Sequence, residues 1–273
     1  MTSAPRILLL SVAVAATLAA CQRREEKAAA PKAAPAQAVV ADTTPVGYES
    51  KTPYADVKLT LPQTVKATPA LHAALYADMV RDLKQFEEGA QADLTEAGGG
   101  SNPYEKSIAF APGAETAKLV SLARTDFEFT GGAHPNTSFA SVIWDKTTNK
   151  RVGFADLFRP GADLAVLDKA LCAAANAAKQ ARSPGSEAAT LDGKMWTCPK
   201  AVSTPFFLTP GSTPGKAGGV TFLVGPYQIG PYSDGPYWIA LPQSAFRALL
   251  NPAYADQFDG APVKAGDVTP KNG

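Results

Sequence analysis

The hydrophobic pattern predicts a strand followed by a long helix at the start of the globular part. In residues 54–62, YADVKLTLP, apolar residues occupy alternate positions, as in a half-buried strand. Thr68 and Pro69 then resemble a helix N-cap and first helical residue. A helix is predicted from residue 69 to about 91, with the apolar face Leu71, Leu75, Met79, Leu83 and Phe86.

Shorter alternating segments further along the chain predict a sheet. The predicted strands are 104–112, 117–130, a hairpin over 137–154 with its turn at 147–149, then 204–210, 218–227 and 237–242. A second helix is predicted from Asp163 to about 181, and a short third one over 243–250. Because hairpin-like strands surround two substantial helices without strand–helix alternation, we expect an α+β fold with mainly antiparallel sheet.

The N-terminal residues predict export and lipid attachment. Arg6 precedes a mainly apolar run of fourteen residues, 7–20, which is too short to span a bilayer comfortably and fits the core of a signal peptide. The following Leu-Ala-Ala-Cys resembles the bacterial lipobox, which implies cleavage before Cys21 and a lipid on that cysteine. Gln22 in the next position favours the outer membrane, facing the periplasm. An ordinary secretory peptide with an incidental Cys21 is the alternative.

Composition divides the chain into five predicted segments. Residues 1–20 form the signal peptide, and the Ala/Pro-rich residues 21–47 form a tether expected to be disordered. Two small α+β subdomains follow, 48–117 and 118–252. Residues 253–273 form a polar tail, expected to be disordered from about residue 260.

Two cysteines remain after Cys21, and the predicted compartment is oxidising. Cys172 lies on the second helix and Cys198 follows a polar excursion, so we expect one disulfide between them. A redox pair or two free thiols are the alternatives, although the sequence has no Cys-x-x-Cys motif.

Charge argues against nucleic acid as a partner. The formal net charge is +1, and no strongly basic block interrupts the sequence. Nucleic-acid binding needs a concentrated Lys/Arg surface. We therefore expect membrane attachment through the lipid on Cys21 alone.

The turn TGGAHPNT, residues 130–137, contains one of the two histidines of the chain, His134. The Gly-Gly pair permits positive φ, and a residue before proline favours an extended backbone, so a structural turn is one interpretation. A rigid loop in which His134 and Asn136 contact a ligand is a second. Catalysis is a third, with Asp126 and Ser138 nearby, but the chain has no Gly-x-Ser-x-Gly motif.

The stretch GPYQIGPYSDGPYW, residues 225–238, offers a second candidate binding surface. Tyr227, Tyr232, Tyr237 and Trp238 alternate there with glycine and proline. Aromatic side chains on a stiff backbone bury large areas at low entropic cost, which suits recognition of protein or sugar. The alternative is that these turns only end strands. The sequence predicts no catalytic residue, no metal site and no cofactor.

Several short motifs in a fixed order resemble a bacterial envelope domain family. They are Gly131, Gly132, Ala133 and His134, then Asp145, Lys150, Asp156, Leu157 and Phe158, then Phe222, Pro226, Tyr227, Gly230, Pro231, Tyr232 and Gly235. The family includes the extracellular part of the anti-sigma factor RsiV and a domain beside PdaC-type peptidoglycan deacetylases. The resemblance covers about residues 120–250, and 50–117 fits the smaller domain that commonly precedes it.

The resemblance implies binding without catalysis, since RsiV-like domains recognise lysozyme. The signalling role of RsiV and the deacetylase activity are not expected here, because the chain shows no anti-sigma region and no set of metal-binding histidines. We expect a lipid-anchored envelope protein that binds a lysozyme-like muramidase or cell-wall glycan. The alternatives are a cell-wall hydrolase using His134 with a carboxylate, and a structural lipoprotein that contacts peptidoglycan.

Overall fold

The computed structural model describes residues 44–98 and 102–271. These residues belong to one compact unit, Thr43–Gly273, which contains a six-stranded and a four-stranded sheet. The α+β class, the mainly antiparallel pairing and the two long helices are confirmed. The predicted signal peptide, Cys21 and nearly all of the predicted tether lie outside the described residues.

The first sheet has the strand order β1 to β6 along the chain. Its strands are β1 (Gly47–Lys51), β2 (Ala55–Thr60), β3 (Tyr104–Glu115), β4 (Leu119–Phe129), β5 (Asn136–Asp145) and β6 (Lys150–Arg151). All neighbours are antiparallel except β2 and β3, which run parallel and are joined through α1 (Pro69–Glu96). The expectation of no strand–helix–strand unit is therefore wrong at this point, because the long helix returns the chain to the start of the sheet.

Strand β1 was missed because it lacks the apolar alternation that marks a buried strand. Its residues, GYESK, are exposed or half-buried throughout. It pairs antiparallel with β2 at the edge of the sheet, from Gly47 opposite Thr60 to Lys51 opposite Asp56. Backbone pairing, and not side-chain burial, defines this strand.

Helix α1 covers one face of the first sheet. The expected apolar face of the helix is confirmed, and it packs against alternate residues of the sheet, including Ile108, Phe110, Leu122 and Val142. The helix ends at Glu96, later than expected, before Gly98 with φ of +84°. The four sheet residues have even numbers. Their odd-numbered neighbours in β3, β4 and β5 point to the other face of the sheet, because side chains alternate along a strand.

The second sheet has the order β10-β9-β8-β7 and is antiparallel. Its strands are β7 (Phe206–Pro210), β8 (Ala217–Val224), β9 (Tyr237–Pro242) and β10 (Gly266–Asp267). Helix α3 (Ala165–Arg182) contributes Leu167, Leu171 and Ala175 to the core that contains β8 and β9. Every residue of β8 is buried, because both faces of this sheet are covered.

The two sheets approach closely where β3 meets β7. A Cβ atom on Gly113 would lie 2.6 Å from Cδ2 of Phe207, so only glycine fits there. The hydroxyl of Ser121 in β4 accepts a hydrogen bond from the backbone N–H of Leu208 at 2.8 Å. Ala123 packs with Phe207 and Leu223. The second sheet therefore lies on the face of the first sheet that points away from α1.

Several predicted boundaries differ from the structure. The division expected at residue 117/118 falls between β3 and β4, which pair in one sheet. The tail expected to be disordered from about residue 260 is instead placed against the fold as far as residue 271 and includes β10. The predicted helix 243–250 is two short 3₁₀ turns, Gln243–Ala245 and Arg247–Leu249. Short α-helices occur at Phe154–Leu157 (α2) and Pro252–Ala255 (α4).

The expected disulfide between Cys172 and Cys198 is confirmed. The two Cα atoms are 5.2 Å apart and the residues are 26 apart in sequence. Cys172 lies on α3, and Cys198 is buried in the excursion that follows the helix. The bond therefore holds the segment between α3 and β7 against the helix.

We expect the double substitution Cys172→Ala and Cys198→Ala to lower the free energy of unfolding by about 3 kcal/mol, the chain-entropy value for a loop of this length. Urea denaturation measures the change. Dithiothreitol should shift the midpoint of the parent protein and leave that of the double variant unchanged. A double variant that unfolds at the parent's midpoint would contradict the structural role of the bond.

Candidate functional site

The turn at 130–137 and the loop at 225–238 meet in the structure. The ring of His134 stacks on the ring of Tyr232, with centroids 4.0 Å apart and planes 20° apart. The ring of Tyr227 lies 5.4 Å from that of Tyr232 and 6.3 Å from that of His134. The Tyr232 hydroxyl donates a hydrogen bond to the carbonyl oxygen of Pro135 at 2.9 Å. We call His134, Tyr227 and Tyr232 the aromatic platform.

The two glycines of the first turn allow this arrangement. Gly131 and Gly132 have φ of +93° and +100°, a region that residues with a Cβ rarely adopt. His134 is exposed, and its Nδ1 lies 3.0 Å from the carbonyl oxygen of Pro135. That nitrogen carries the hydrogen, because a carbonyl can only accept. The carbonyl oxygen of Pro135 thus accepts hydrogen bonds from both His134 and Tyr232, which fixes the two rings relative to each other. Asn136, the first residue of β5, is exposed next to this turn.

Tyr227 has a backbone conformation that normally requires glycine. It is the third residue of the turn Gly225–Gln228, which is closed by a hydrogen bond from the N–H of Gln228 to the carbonyl of Gly225. Its φ is +65°, as at the third position of a type II turn, where glycine is strongly preferred. The side chain is nevertheless 58% exposed. Neither the backbone nor core packing accounts for a tyrosine at this position.

The three Gly-Pro-Tyr repeats place their tyrosines in three different environments. Tyr227 is exposed, Tyr232 is half-buried and Tyr237 is only 1% exposed. The prediction that Tyr237 contacts a ligand is wrong, because this residue is in the core, beneath the guanidinium of Arg182 at 4.0 Å from the ring centroid. Burial, followed by the nearby negative charge of Asp234, raises the pKa of the Tyr237 phenol.

A cleft of about 540 Å³ opens beside the aromatic platform. Its lining consists of Ala109, Ala111, Thr125, Phe127, Thr137, Phe139, Pro226, Tyr232, Gly235, Pro236, Trp238, Thr269 and Pro270. The volume lies within the range of about 300–1,000 Å³ that ligand pockets have. Tyr232 belongs to both the platform and the cleft, so the two features form one continuous surface.

The floor of the cleft is the face of the first sheet that points away from α1. Neighbouring strands place small and aromatic residues next to each other: Ala109 is opposite Thr125, and Thr125 is in turn opposite Phe139. In the adjacent row Phe127 is opposite Thr137. The small side chains of Ala109 and Ala111 on β3 leave the space of the cleft, and Phe127 and Phe139 form its walls.

Trp238 closes the cleft on the side of the second sheet. It is 8% exposed and lines the cleft, as its prediction as a binding residue requires. The rings of Phe139 and Phe207 contact it edge-on, with centroids 6.0 and 5.7 Å away. Its position is therefore fixed by packing before any ligand arrives.

Arg182, at the C-terminal end of α3, holds three parts of the site together. It forms paired hydrogen bonds of 2.7 and 2.8 Å with the carboxylate of Asp267. It also donates to the carbonyl oxygens of Asp234 at 3.1 Å and Pro236 at 2.7 Å, and to the hydroxyl of Thr269 at 2.6 Å. The residue thereby joins the 225–238 loop to the C-terminal segment that forms one wall of the cleft.

Lys179, one turn earlier on α3, anchors the same loop from inside. Its side chain is 1% exposed, and its ammonium donates to the carbonyl oxygens of Glu187 at 2.5 Å and Ile229 at 2.6 Å. The indole ring of Trp196 lies 5.3 Å from the same nitrogen. Sequence reasoning missed both Lys179 and Arg182, since two basic residues near a helix end carry no signal for such contacts.

The structure does not bring together the residues of the catalytic hypothesis. Asp126 and Ser138 are opposite each other on β4 and β5, but Asp126 binds Arg124, which in turn binds Asp82 of α1. They therefore lie on the face towards α1, whereas His134 stacks on Tyr232 beside the cleft. Burial outweighs the neighbouring Arg124 and raises the pKa of Asp126.

Among residues 44–98 and 102–271, no group of three or more His, Cys, Asp or Glu side chains could hold a metal ion. In the same part of the chain, none of the helices has the length and hydrophobicity needed to cross a membrane.

Comparison with known proteins gives similar structures only. No family model and no curated protein matches the chain. A DUF3298 family member from Bacteroides fragilis NCTC 9343 has 17% identity and a TM-score of 0.47, covering 78% of this chain and 94% of its own. A DUF3298 family protein from Pseudomonas aeruginosa PAO1 has 19% identity and a TM-score of 0.46, with the same coverage of 78% and 94%.

The Arg182–Asp267 pair predicts a pH-dependent contribution to stability. Burial raises the pKa of Asp267, but hydrogen bonds from Arg182 and Thr269 outweigh burial, and the net pKa is lowered. The stabilisation of the folded state by the ionised Asp267 is therefore fully present above the carboxyl pKa of the unfolded chain, about 3.9. It is lost as the pH falls through the lower pKa that Asp267 has in the folded protein.

A double-mutant cycle of Arg182→Met and Asp267→Asn measures this contribution. We expect a coupling free energy of about 1 kcal/mol at pH 7 for this partly exposed pair, and a smaller one at pH 2.5. Urea denaturation at both pH values provides the numbers. A coupling that persists unchanged at pH 2.5 would show that the carboxylate charge is not responsible.

Proposed function

We propose that this protein is a lipid-anchored protein of the bacterial envelope that binds a ligand, without catalysis, at the aromatic platform and the adjoining cleft. The observation that carries the proposal is Tyr227. This tyrosine is 58% exposed in a turn position that favours glycine. Strained residues with exposed side chains are found at functional sites, where the side chain is needed for contacts with a partner.

The surroundings of Tyr227 support recognition. His134 and Tyr232 extend the same surface, and hydrogen bonds to one carbonyl hold both rings in place. Rigid aromatic side chains lose little entropy when they bind, and tyrosine is frequent among the residues that dominate binding energies. Lys179 and Arg182 hold the loop from behind, which lowers the cost of ordering it in the complex.

A lysozyme-like muramidase is the partner we propose for the platform. The motifs Gly131–His134 and Gly230–Tyr232, which carry the sequence resemblance to RsiV-like domains, are the segments that meet here. The exposed rings suit a protein surface, where aromatic anchors fill pockets of the partner. In this proposal the protein would sequester the muramidase at the membrane and protect the cell wall.

Substitution of Tyr227 by glycine and by alanine separates binding from folding. Because glycine tolerates positive φ, we expect Tyr227→Gly to be more stable than Tyr227→Ala by about 1 kcal/mol. Both variants should lose about tenfold or more in affinity for the muramidase, since both lack the ring. Denaturation and surface plasmon resonance with a panel of lysozymes measure the two effects.

Met195→Ala is the matched control, because Met195 is 68% exposed on a different loop. This variant should retain the affinity of the parent protein. Retention of no lysozyme by the parent protein would overturn the muramidase proposal. Equal affinity of the parent and both Tyr227 variants would overturn the assignment of the platform.

The lipid anchor is tested separately with Cys21→Ser expressed in a Gram-negative bacterium. We expect the parent protein to take up labelled palmitate and to sediment with outer membranes, because the Cys21 thiol is the proposed acceptor of the lipid. The variant should remain unlabelled and fail to sediment. Labelling of the variant would contradict the assignment of Cys21.

A further inference from the structure

The chemistry of the cleft points to a different ligand from that of the exposed platform. We infer that the cleft is a carbohydrate subsite that takes one neutral sugar ring. This inference rests on the proposed function only in that both describe a binding protein. It assigns a ligand class to the cleft, which shares only Tyr232 with the platform.

Within the described part of the chain, no charged side chain lines the cleft. Its thirteen residues are alanine, threonine, phenylalanine, proline, tyrosine, glycine and tryptophan. An ionised group placed there would lose hydration without gaining a partner of opposite charge. The cleft therefore favours an uncharged ligand over a phosphate, a carboxylate or an amine.

The walls are suited to a ring with an apolar face. Phe127, Phe139 and Trp238 stand around a floor of small residues, Ala109 and Ala111. Both alanines are exposed to the cleft. A pyranose ring presents C–H groups on its face, and these pack against aromatic side chains as other apolar groups do.

Two hydroxyl groups on the floor supply the polar part of the recognition. Thr125 and Thr137 lie on neighbouring strands, and neither hydroxyl has a hydrogen-bond partner within the part of the chain that the structure describes. Thr269, by contrast, is already bound to Arg182 and to the N–H of Trp238. The two free hydroxyls can exchange hydrogen bonds with the equatorial hydroxyls of a sugar whose face lies on the aromatic walls.

The same features disfavour the two other uncharged ligands. A hydrocarbon chain would remove both threonine hydroxyls from water without replacing their hydrogen bonds. An extended peptide would place its own backbone groups over the face of a sheet whose N–H and C=O groups are already paired between strands. A sugar ring satisfies both the apolar and the polar demands of this surface.

Titration of the purified protein with neutral trisaccharides of glucose, galactose and N-acetylglucosamine tests the inference. Two-dimensional NMR follows the indole N–H of Trp238 as the reporter of the cleft. We expect at least one trisaccharide to shift this signal in a saturable way. No shift with any of the three sugars at millimolar concentration would overturn the inference.

Valine substitutions provide the structural control, since valine keeps the shape of threonine and favours strands. Thr125→Val and Thr137→Val should each lower the saccharide affinity about three- to tenfold, the range expected for one hydrogen bond. Ala109→Leu, which fills the floor, should abolish binding, while Ala117→Leu at the exposed β3–β4 turn should not. Unchanged or tighter saccharide binding by both valine variants would overturn the role of the hydroxyls.

The sugar and muramidase experiments fail independently. Muramidase binding that persists in Ala109→Leu, together with no sugar binding by the parent, overturns the subsite and leaves the proposed function standing. Sugar binding by a protein that retains no lysozyme supports the subsite and removes the muramidase as a partner.

Discussion

A mismatch in strand length creates the surface on which the site depends. Strands β3 and β4 have 12 and 11 residues, whereas β7 and β9 have 5 and 6. The second sheet can therefore cover only part of the face that the first sheet turns away from α1. Ala123 lies under the second sheet, while Thr125 and Phe127, two and four residues further along the same face, line the cleft. The cleft is the uncovered end of a sheet.

The loop beside this opening must be held in place, and α3 does so from two positions. Lys179 and Arg182 are three residues apart and so lie on one side of the helix. They donate hydrogen bonds to the carbonyl oxygens of Ile229, Asp234 and Pro236, which are spread over the loop. The C-terminal segment adds a further fixed point, because the hydroxyl of Thr269 accepts a hydrogen bond from the N–H of Trp238. These supports allow the loop to hold Tyr227 at positive φ, which costs about 1–3 kcal/mol, as a permanent feature of the surface.

Most helices and strands could be predicted from the sequence, whereas the geometry of the candidate site could not, and both outcomes have physical reasons. Apolar periodicity located both long helices and most strands, because burial imposes a period on the residues. It could not locate β1, whose side chains are largely exposed, or the parallel pairing of β2 with β3, which depends on where α1 returns the chain. The segments that contain His134 and Tyr232 were visible as an unusual composition. The cleft was not visible, because Ala109, Thr125 and Phe139 become neighbours only through strand register. Three identical Gly-Pro-Tyr tripeptides gave no indication that one tyrosine would be buried and another exposed.

Tyr232 makes the two parts of the surface interdependent. One side of its ring stacks on His134, its hydroxyl binds the carbonyl of Pro135, and the residue also lines the cleft. A ligand in the cleft that moves this ring must also move or unstack His134, and a partner seated on the platform must restrain the same ring. If both proposed ligands bind, the two binding events would share one coupling free energy, and each would change the affinity for the other by the same factor. A protein with this arrangement would respond to a wall fragment and a wall-degrading enzyme as linked signals, through a contact between two side chains.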